Sequence, residues 1–428
     1  MTEALILFSM FAMIAIGLPI AVSILASALA GLWLLNGHLG FLNAALSIFD
    51  GATSFPLIAI PLFILAGALM NTGGISTRLI AFVSALIGFI RGGLAMVNVG
   101  VSMFFAEISG SAVADVAATG SVLIPAMKKR GYSPRFAAAI TSSSASLAII
   151  IPPSIPMILY GALSDTSIVQ LFVAGIVPGV IGGFLLMALS YYFAVRYDLP
   201  REAGFSLPRL WETTKDAAWA LVLPVIILGG IFGGVVTATE GAGLAVVTAL
   251  FIGVFIYREI DLGRLYHALV EGVVQTAVVM LLVATSAVLG LYLTETELPQ
   301  RLAQGISAVT TNKLVVLMII NVFLLFLGMI LHGAAAIILT VPIFMPLVHQ
   351  LGIDPVQFGI LLTLNIALGQ QTPPVASVLV TSCSIAKTDV WSTTKTNLPF
   401  IAVLMLVLLL VTYVPSVSLG LVDAFYDR

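Results

Sequence analysis

Of the 428 residues, 60% are hydrophobic and only 8% are charged, where an average soluble domain carries roughly 25% charged residues. The net charge of −2 gives no reason to expect nucleic acid as a partner, and the single cysteine, Cys383, excludes a disulfide framework and a thiolate metal site. A helix needs about 20 mostly apolar residues to cross a bilayer; many stretches here qualify, and the weak alternating segments of a β-barrel are absent.

The expected class is therefore an all-α polytopic membrane protein. The opening MTEALILF has Glu3 and no Lys or Arg, unlike the basic start of a signal peptide. Residues 4–35 make one long tilted helix or two short ones, with Gly17 and Pro19 as the break. Residues 41–60, with Asp50 and Pro56, read as an interfacial or arm-like segment, and two apolar helices flank the turn NTGG at 71–74. Residues 93–106 run inward to Glu107-Ile108-Ser109-Gly110-Ser111, and 112–127 run out to a basic loop. At 1.5 Å per residue each arm falls short of a crossing, so a re-entrant hairpin with the tip SGS is predicted. The apolar run 136–160 is interrupted by Ser142, Ser143, Ser144, Ser146 and Pro152-Pro153; two adjacent prolines break a helix. Residues 171–195 are an ordinary span, and 196–216, the longest polar interior stretch, read as a cytoplasmic linker.

The second half follows the same plan. Residues 217–236 and 241–257 form a helix pair around TATEGAG, then 272–294 form a helix and 295–304 a polar loop. Residues 314–331 lead into a second tip at His332-Gly333-Ala334, which 335–349 leave. A second broken helix, 358–381, is interrupted at GQQTPP, and 397–414 are the last span. The halves superpose without a gap at an offset of 221 (373 − 152), which pairs Pro125 with Pro346, Pro134 with Pro355, Pro152 with Pro373 and Pro153 with Pro374. This is an internal duplication, with residues 1–195 as the first repeat and 217–428 as the second. The loop KKRGYSPR of the first copy holds four Lys/Arg and its counterpart HQLGIDPV none. Basic short loops stay in the cytoplasm, so equivalent loops lie on opposite sides of the membrane. Both chain ends are then expected outside. Inverted repeats place a transporter's binding site near the midplane, where the halves meet.

The chain lacks the P-loop, H-E-x-x-H and G-x-S-x-G motifs, which argues against nucleotide hydrolysis and the commonest hydrolases. A transporter built this way is driven by an ion gradient. Sodium is held by oxygens, above all carbonyls freed where a helix unwinds. The candidate sodium residues are Ser109, Gly110, Ser111, Ser143 and Ser144 in the first repeat. In the second they are Gly333, Ala334, Asn365, Gln370, Thr372 and Pro373. An isolated Ser or Gly in such helices serves close packing; clustering at duplicated tips and breaks favours a site. Asp115, one turn past the first tip, is either a functional carboxyl within the membrane or a solvated one. Glu107 has Gly328 as its counterpart and ranks below the tips, and Arg78 and Arg91 read as side chains snorkelling to the headgroups.

Three stretches carry a resemblance to a known family. SGSAVADVAATGSVLIPAMKKRGYSPRFAAAITSSSASLAIIIPPSIPMILYG (109–161), PLFILAGALMNTGG (61–74) and ALGQQTPPV (367–375) are similar to the large membrane subunit of tripartite ATP-independent periplasmic (TRAP) transporters. The resemblance implies an elevator-type ion transporter superfamily fold in the bacterial inner membrane. It also implies sodium-coupled uptake of an organic acid, a sialic acid or a C4-dicarboxylate. Two partners come with it: a small four-helix membrane subunit and a periplasmic substrate-binding protein. Carried onto this chain, Ser109, Ser111, Asp115, Ser146, Pro153, Gly333, Gln371 and Thr372 would shape the substrate site. A stand-alone sodium-dicarboxylate symporter of the same superfamily predicts the same tips. An intramembrane enzyme and an open channel leave the duplicated tips and breaks unexplained.

Overall fold

A bilayer offers no water to backbone N–H and C=O groups, so apolar chain satisfies them internally as helix. A computed structural model describes residues 2–201, 204–310 and 312–426, without the side chains of 2, 107–109 and 307–309. Among these residues no strand forms, only an isolated bridge between Arg91 and Arg201. Among the described residues eight helices are long and apolar enough to span a membrane by length and composition, two of them, Lys313–Ile330 and Gly333–Gln350, being the arms of the second hairpin.

Helices recur at the offset seen in the sequence. Gly93–Ser109 corresponds to Lys313–Ile330, and Pro134–Ala145 to Pro355–Gly369 (355 − 134 = 221). The outgoing arm of the first hairpin, Ala112–Asp115 to Ser121–Lys129, carries a π-helical turn at Val116–Gly120, where the second, Gly333–Gln350, runs straight through. Beyond the breaks, Ile155–Ser164 and Ser377–Ala386 resume the helix, and Ile168–Arg196 matches Val390–Tyr413. Both breaks contain a cis prolyl bond, Pro152-Pro153 and Pro373-Pro374.

The repeats differ most in the framework. The first has His38–Thr53, a 3₁₀ turn Phe55–Ile58 and Ala59–Thr72; the second has one 34-residue helix, Leu262–Glu295. Pro56 and Pro61 account for this, because proline removes an amide donor and crowds the turn before it. The corresponding positions hold Ala277 and Leu282, which continue a helix. These elements pack with Thr2–Ala15, Ile20–Asn36, Leu207–Phe232 and Ala238–Phe251 into a framework. The hairpins and broken helices pack with Ile168–Arg196, Val390–Tyr413 and Ser416–Tyr426 into a second body.

Several sequence expectations change. The polar stretch 295–304 is mostly helix, Leu298–Val309. Pro299 and Ala303 are buried and Leu298 and Ile306 partly so, at helical spacing, while Gln300, Arg301, Leu302 and Gln304 are exposed, so the polar residues mark a wet face rather than a loop. The linker 196–216 becomes helical at Leu207, where the Ser206 hydroxyl accepts from the Arg209 amide. The helix expected at 272 starts at Leu262, capped by Asp261. The last span starts at Val390, capped by Asp389, and a further helix Ser416–Tyr426 follows it.

Arg78 and Arg91 are ion-paired rather than merely snorkelling. The Arg78 guanidinium donates to Glu259 at 2.6 Å and Asp216 at 3.3 Å and lies over the Tyr257 ring, and Arg91 pairs with Asp198. Lys128 donates to the Ala386 carbonyl at 2.9 Å. These contacts gather the basic loops of both repeats at one end of the molecule, the cytoplasmic end by the positive-inside rule. Arg301 with Glu3, and Lys313 with the Gly352 carbonyl, lie at the other.

Candidate functional site between the hairpin tips

The first hairpin is rooted at the basic end and the second at the opposite end, yet both tips line one cavity of about 750 Å³. Gly110, Ser111, His332 and Gly333 are all in its wall. Two hairpins entering from opposite sides reach a shared chamber only if neither crosses fully. Across from the tips stand Asn71, Ser76, Glu271 and Gln275 of the framework. Ser76 lies two residues from Arg78 of the cytoplasmic ion cluster, so the chamber extends from the tips toward the cytoplasmic side.

Each tip rests on the break of its own repeat. Gly110 adopts φ +55°, and a side chain there would come within 3.2 Å of the Pro153 carbonyl and 3.0 Å of the Ile155 amide. At the second tip a Cβ on Gly333 would lie 2.8 Å from Gln370 Nε2, and one on Gly369 would lie 2.4 Å from the backbone of Gly328. Glycine is used here for close approach of backbones.

The breaks meet each other behind the tips. Ser143 Oγ lies 2.7 Å from Gln371 Oε1 and 2.8 Å from Asn397 Oδ1. Ser146 Oγ reaches the Ala367 carbonyl at 3.4 Å as well as Ser142 O at 3.1 Å. Each repeat adds a buried amide network of its own. Asn98 Nδ2 donates to Thr141 at 2.7 Å, and Ser144 donates to Asn98 Oδ1 at 2.8 Å. In the second repeat Asn365 donates to Asn321 Oδ1 at 2.8 Å, and Asn321 to Thr412 at 3.0 Å. Ser144 and Asn365 are equivalent positions (365 − 144 = 221). Within low dielectric, a polar group left without a partner costs about 1–3 kcal/mol, so these networks fix each broken helix within its own repeat, while the Ser143 and Ser146 contacts set where the two breaks meet.

The candidates thus separate by depth. Gly110, Ser111, Gly333, Ala334 and Gln370 line the cavity. Asp115, Ser143, Ser144, Ser146, Asn365 and Gln371 are fully buried behind it. Pro153 is buried under the first tip, while Thr372 and Pro373 are half-buried in the second break, with the Thr372 hydroxyl donating to Leu368 O at 2.9 Å. The side chains of Glu107 and Ser109 lie outside the described residues. Buried oxygens without a hydrogen-bond partner among the described residues include both of the Asp115 carboxyl, Ser142 Oγ, Asn365 Oδ1 and, at the start of the helix after the second break, Ser377 Oγ.

Sequence reasoning passed over Asn98, Asn321 and Asn397, whose signal was present: a lone amide within an apolar helix demands a partner. Glu271 and Gln275 were missed because they were read as lying before or at the start of a span. No group of three or more His, Cys, Asp or Glu able to hold a metal occurs among the described residues, and Cys383 is buried and free.

Residues 7–417 match the family described as "Tripartite ATP-independent periplasmic transporter, DctM component". The chain is 40% identical over 416 residues to the isethionate TRAP transporter permease DctMQ of Oleidesulfovibrio alaskensis, covering 97% of this chain and 65% of that protein. It is 38% identical to the C4-dicarboxylate TRAP transporter large permease DctM of Pseudomonas aeruginosa, covering 89% of each. It is 36% identical to the sialic acid TRAP transporter large permease SiaM of Vibrio cholerae, covering 98% of each. Among solved structures, the Alcanivorax borkumensis YdaH transporter superposes with a TM-score of 0.63 over 90% of each chain at 17% identity, a likeness of fold.

Proposed function

Since the chain belongs to the DctM family, the large multi-pass inner-membrane permeases of TRAP transporters, we propose that it is a sodium-driven importer of an organic acid. A periplasmic binding protein delivers the acid, and a small four-helix membrane subunit completes the complex. The relatives are permeases, which sets the intramembrane-enzyme reading aside.

The observation that carries the reading is the meeting of two oppositely rooted tips in one cavity, each tip seated on a broken helix. Helix breaks free carbonyls and helix N-termini, which suit a cation and an anion respectively. The residues present fit sodium as the co-transported ion. It is a hard cation that takes oxygen ligands, and buried oxygens without partners, Asn365 Oδ1 and the Asp115 carboxyl among them, stand beside the breaks. Ser111, Gly333 and Gln370 border the space where the acid would bind. In this proposal the tips and breaks carry ion and acid together past the framework, as an elevator.

The test is uptake into proteoliposomes holding the complex of both membrane subunits, under an inward sodium gradient. Isethionate, succinate and sialic acid are offered, each with and without its binding protein. Uptake that requires both sodium and the binding protein is the expected result. Uptake on sodium alone identifies a stand-alone symporter, and no dependence on sodium rejects the coupling.

A further inference from the structure

The duplication relates Ser111 to His332 (332 − 111 = 221), so equivalent positions of the two tips carry different chemistry. Both residues precede the first turn of an outgoing hairpin helix, and both line the cavity. The His332 ring makes no capping bond to its own helix. Among the described residues no hydrogen bond or ion pair engages it. It is exposed, while Gly333 and Ala334 after it are buried.

The charge inventory of the chamber sharpens this asymmetry. Among the described residues no Lys or Arg lines it, and the charged residue in its wall is Glu271, on the framework side. An acid entering this space therefore has no cationic clamp. The second tip offers the richest set of donors instead. An imidazole presents an N–H in every protonation state. The Gln370 amide lies so close that a Cβ on Gly333 would sit 2.8 Å from its Nε2. The 18-residue helix Gly333–Gln350 starts at the same point, with first-turn amides that have no intrahelical acceptor and a dipole that favours negative charge. At the equivalent place the first tip has the Ser111 hydroxyl instead of an imidazole, ahead of a four-residue α-helical turn, Ala112–Asp115, that passes into the π-turn.

Resting on the reading that an organic acid binds between the tips, we infer that His332 is the specificity-determining residue for its acid group. The ring N–H and the Gln370 amide donate to the carboxylate or sulfonate oxygens at the second tip, while Ser111 meets an uncharged polar part of the same molecule. The acid is thereby held in one orientation by an asymmetric pair of tips in a nearly symmetric frame.

Two measurements test this on the purified complex of both membrane subunits in saturating sodium. In the first, isethionate, succinate and sialic acid are titrated against thermal stability, a readout independent of the binding protein. For whichever acid binds, His332→Ala weakens the apparent Kd at least tenfold. His332→Gln, which retains an N–H donor, stays within about threefold, and half-saturating sodium, measured without acid so that coupling between the two ligands does not enter, is the same in all three proteins. Unchanged affinity in His332→Ala, a glutamine variant as weak as the alanine one, or a sodium requirement that rises in step overturns the inference and leaves the transport reading standing. In the second, the wild-type complex is acylated with diethyl pyrocarbonate and the four histidines of this chain are mapped by mass spectrometry. The bound acid protects His332 selectively; absence of protection overturns the inference even where a variant fails to fold. If none of the acids stabilises the wild-type complex and none is taken up under a sodium gradient, both this inference and the reading beneath it fail.

Discussion

Gly328 and Gly369 show what single residues decide in this chain. The incoming arm of the second hairpin lies directly against the second broken helix, and a methyl group on Gly369 would meet the Gly328 backbone at 2.4 Å. Backbone on both sides cannot yield as a flexible side chain does. Gly369→Ala is thus expected to lower stability by about 1–3 kcal/mol, the usual cost of overpacking. Gly290, within the long framework helix, has nothing within 4 Å of a built Cβ. There alanine improves helix propensity by up to about 1 kcal/mol. Thermal unfolding of the two variants should move in opposite directions; a shared direction would show that the close approach is relieved by other means. At this scale the sequence was partly legible. Glycines and prolines at tips and breaks could be read as such, because their backbone constraints are local. The partners of Ser143 could not, because Gln371 and Asn397 stand 228 and 254 residues away.

Among elements, helix starts are set by side chains that the eye reads as loop. TATEGAG was expected as a turn, yet helix begins at Ala238 inside it. Thr237 Oγ1 accepts from the Glu240 amide at 3.2 Å, and the Glu240 carboxylate accepts from the Thr237 amide at 2.8 Å, which makes a capping box. Thr237→Ala removes the side-chain acceptor and is expected to cost about 1 kcal/mol, with Thr237→Ser close to wild type. Equal unfolding of the alanine and serine variants would deny the cap this role. The same lesson covers Asp261 and Asp389, polar residues that begin helices rather than end loops. Element boundaries moved by several residues for this reason, while element order followed from apolar runs alone. The same error, on a larger scale, came at Leu298–Val309, where a half-wet helix has too few apolar residues to register as one.

For the whole molecule, the proposed motion separates two bodies whose facing walls the cavity defines. Val278 of the framework and Ala117 of the first hairpin both line it. With the buried Cys383 replaced by alanine, cysteines at 278 and 117 joined by a spanning bifunctional thiol reagent are expected to abolish uptake, and reversal of the link to restore it. Full uptake with the link complete would remove the elevator mechanism. This prediction has no counterpart in single-residue stability, because it concerns how one packed body moves against another.

The sequence by itself determined the membrane class, the duplication and the positions of tips and breaks. Those follow from hydrophobic run length, proline register and the bias of Lys and Arg, all properties read along one strand of chain. Only the tertiary structure decided which candidates face the cavity and which lie behind it. It also paired the Ser143 hydroxyl with Gln371 and Asn397, and set Glu271 and His332 in one chamber. Those facts depend on how two inverted halves pack through space. A pattern with a period of a few residues carries no information about a neighbour more than two hundred positions away.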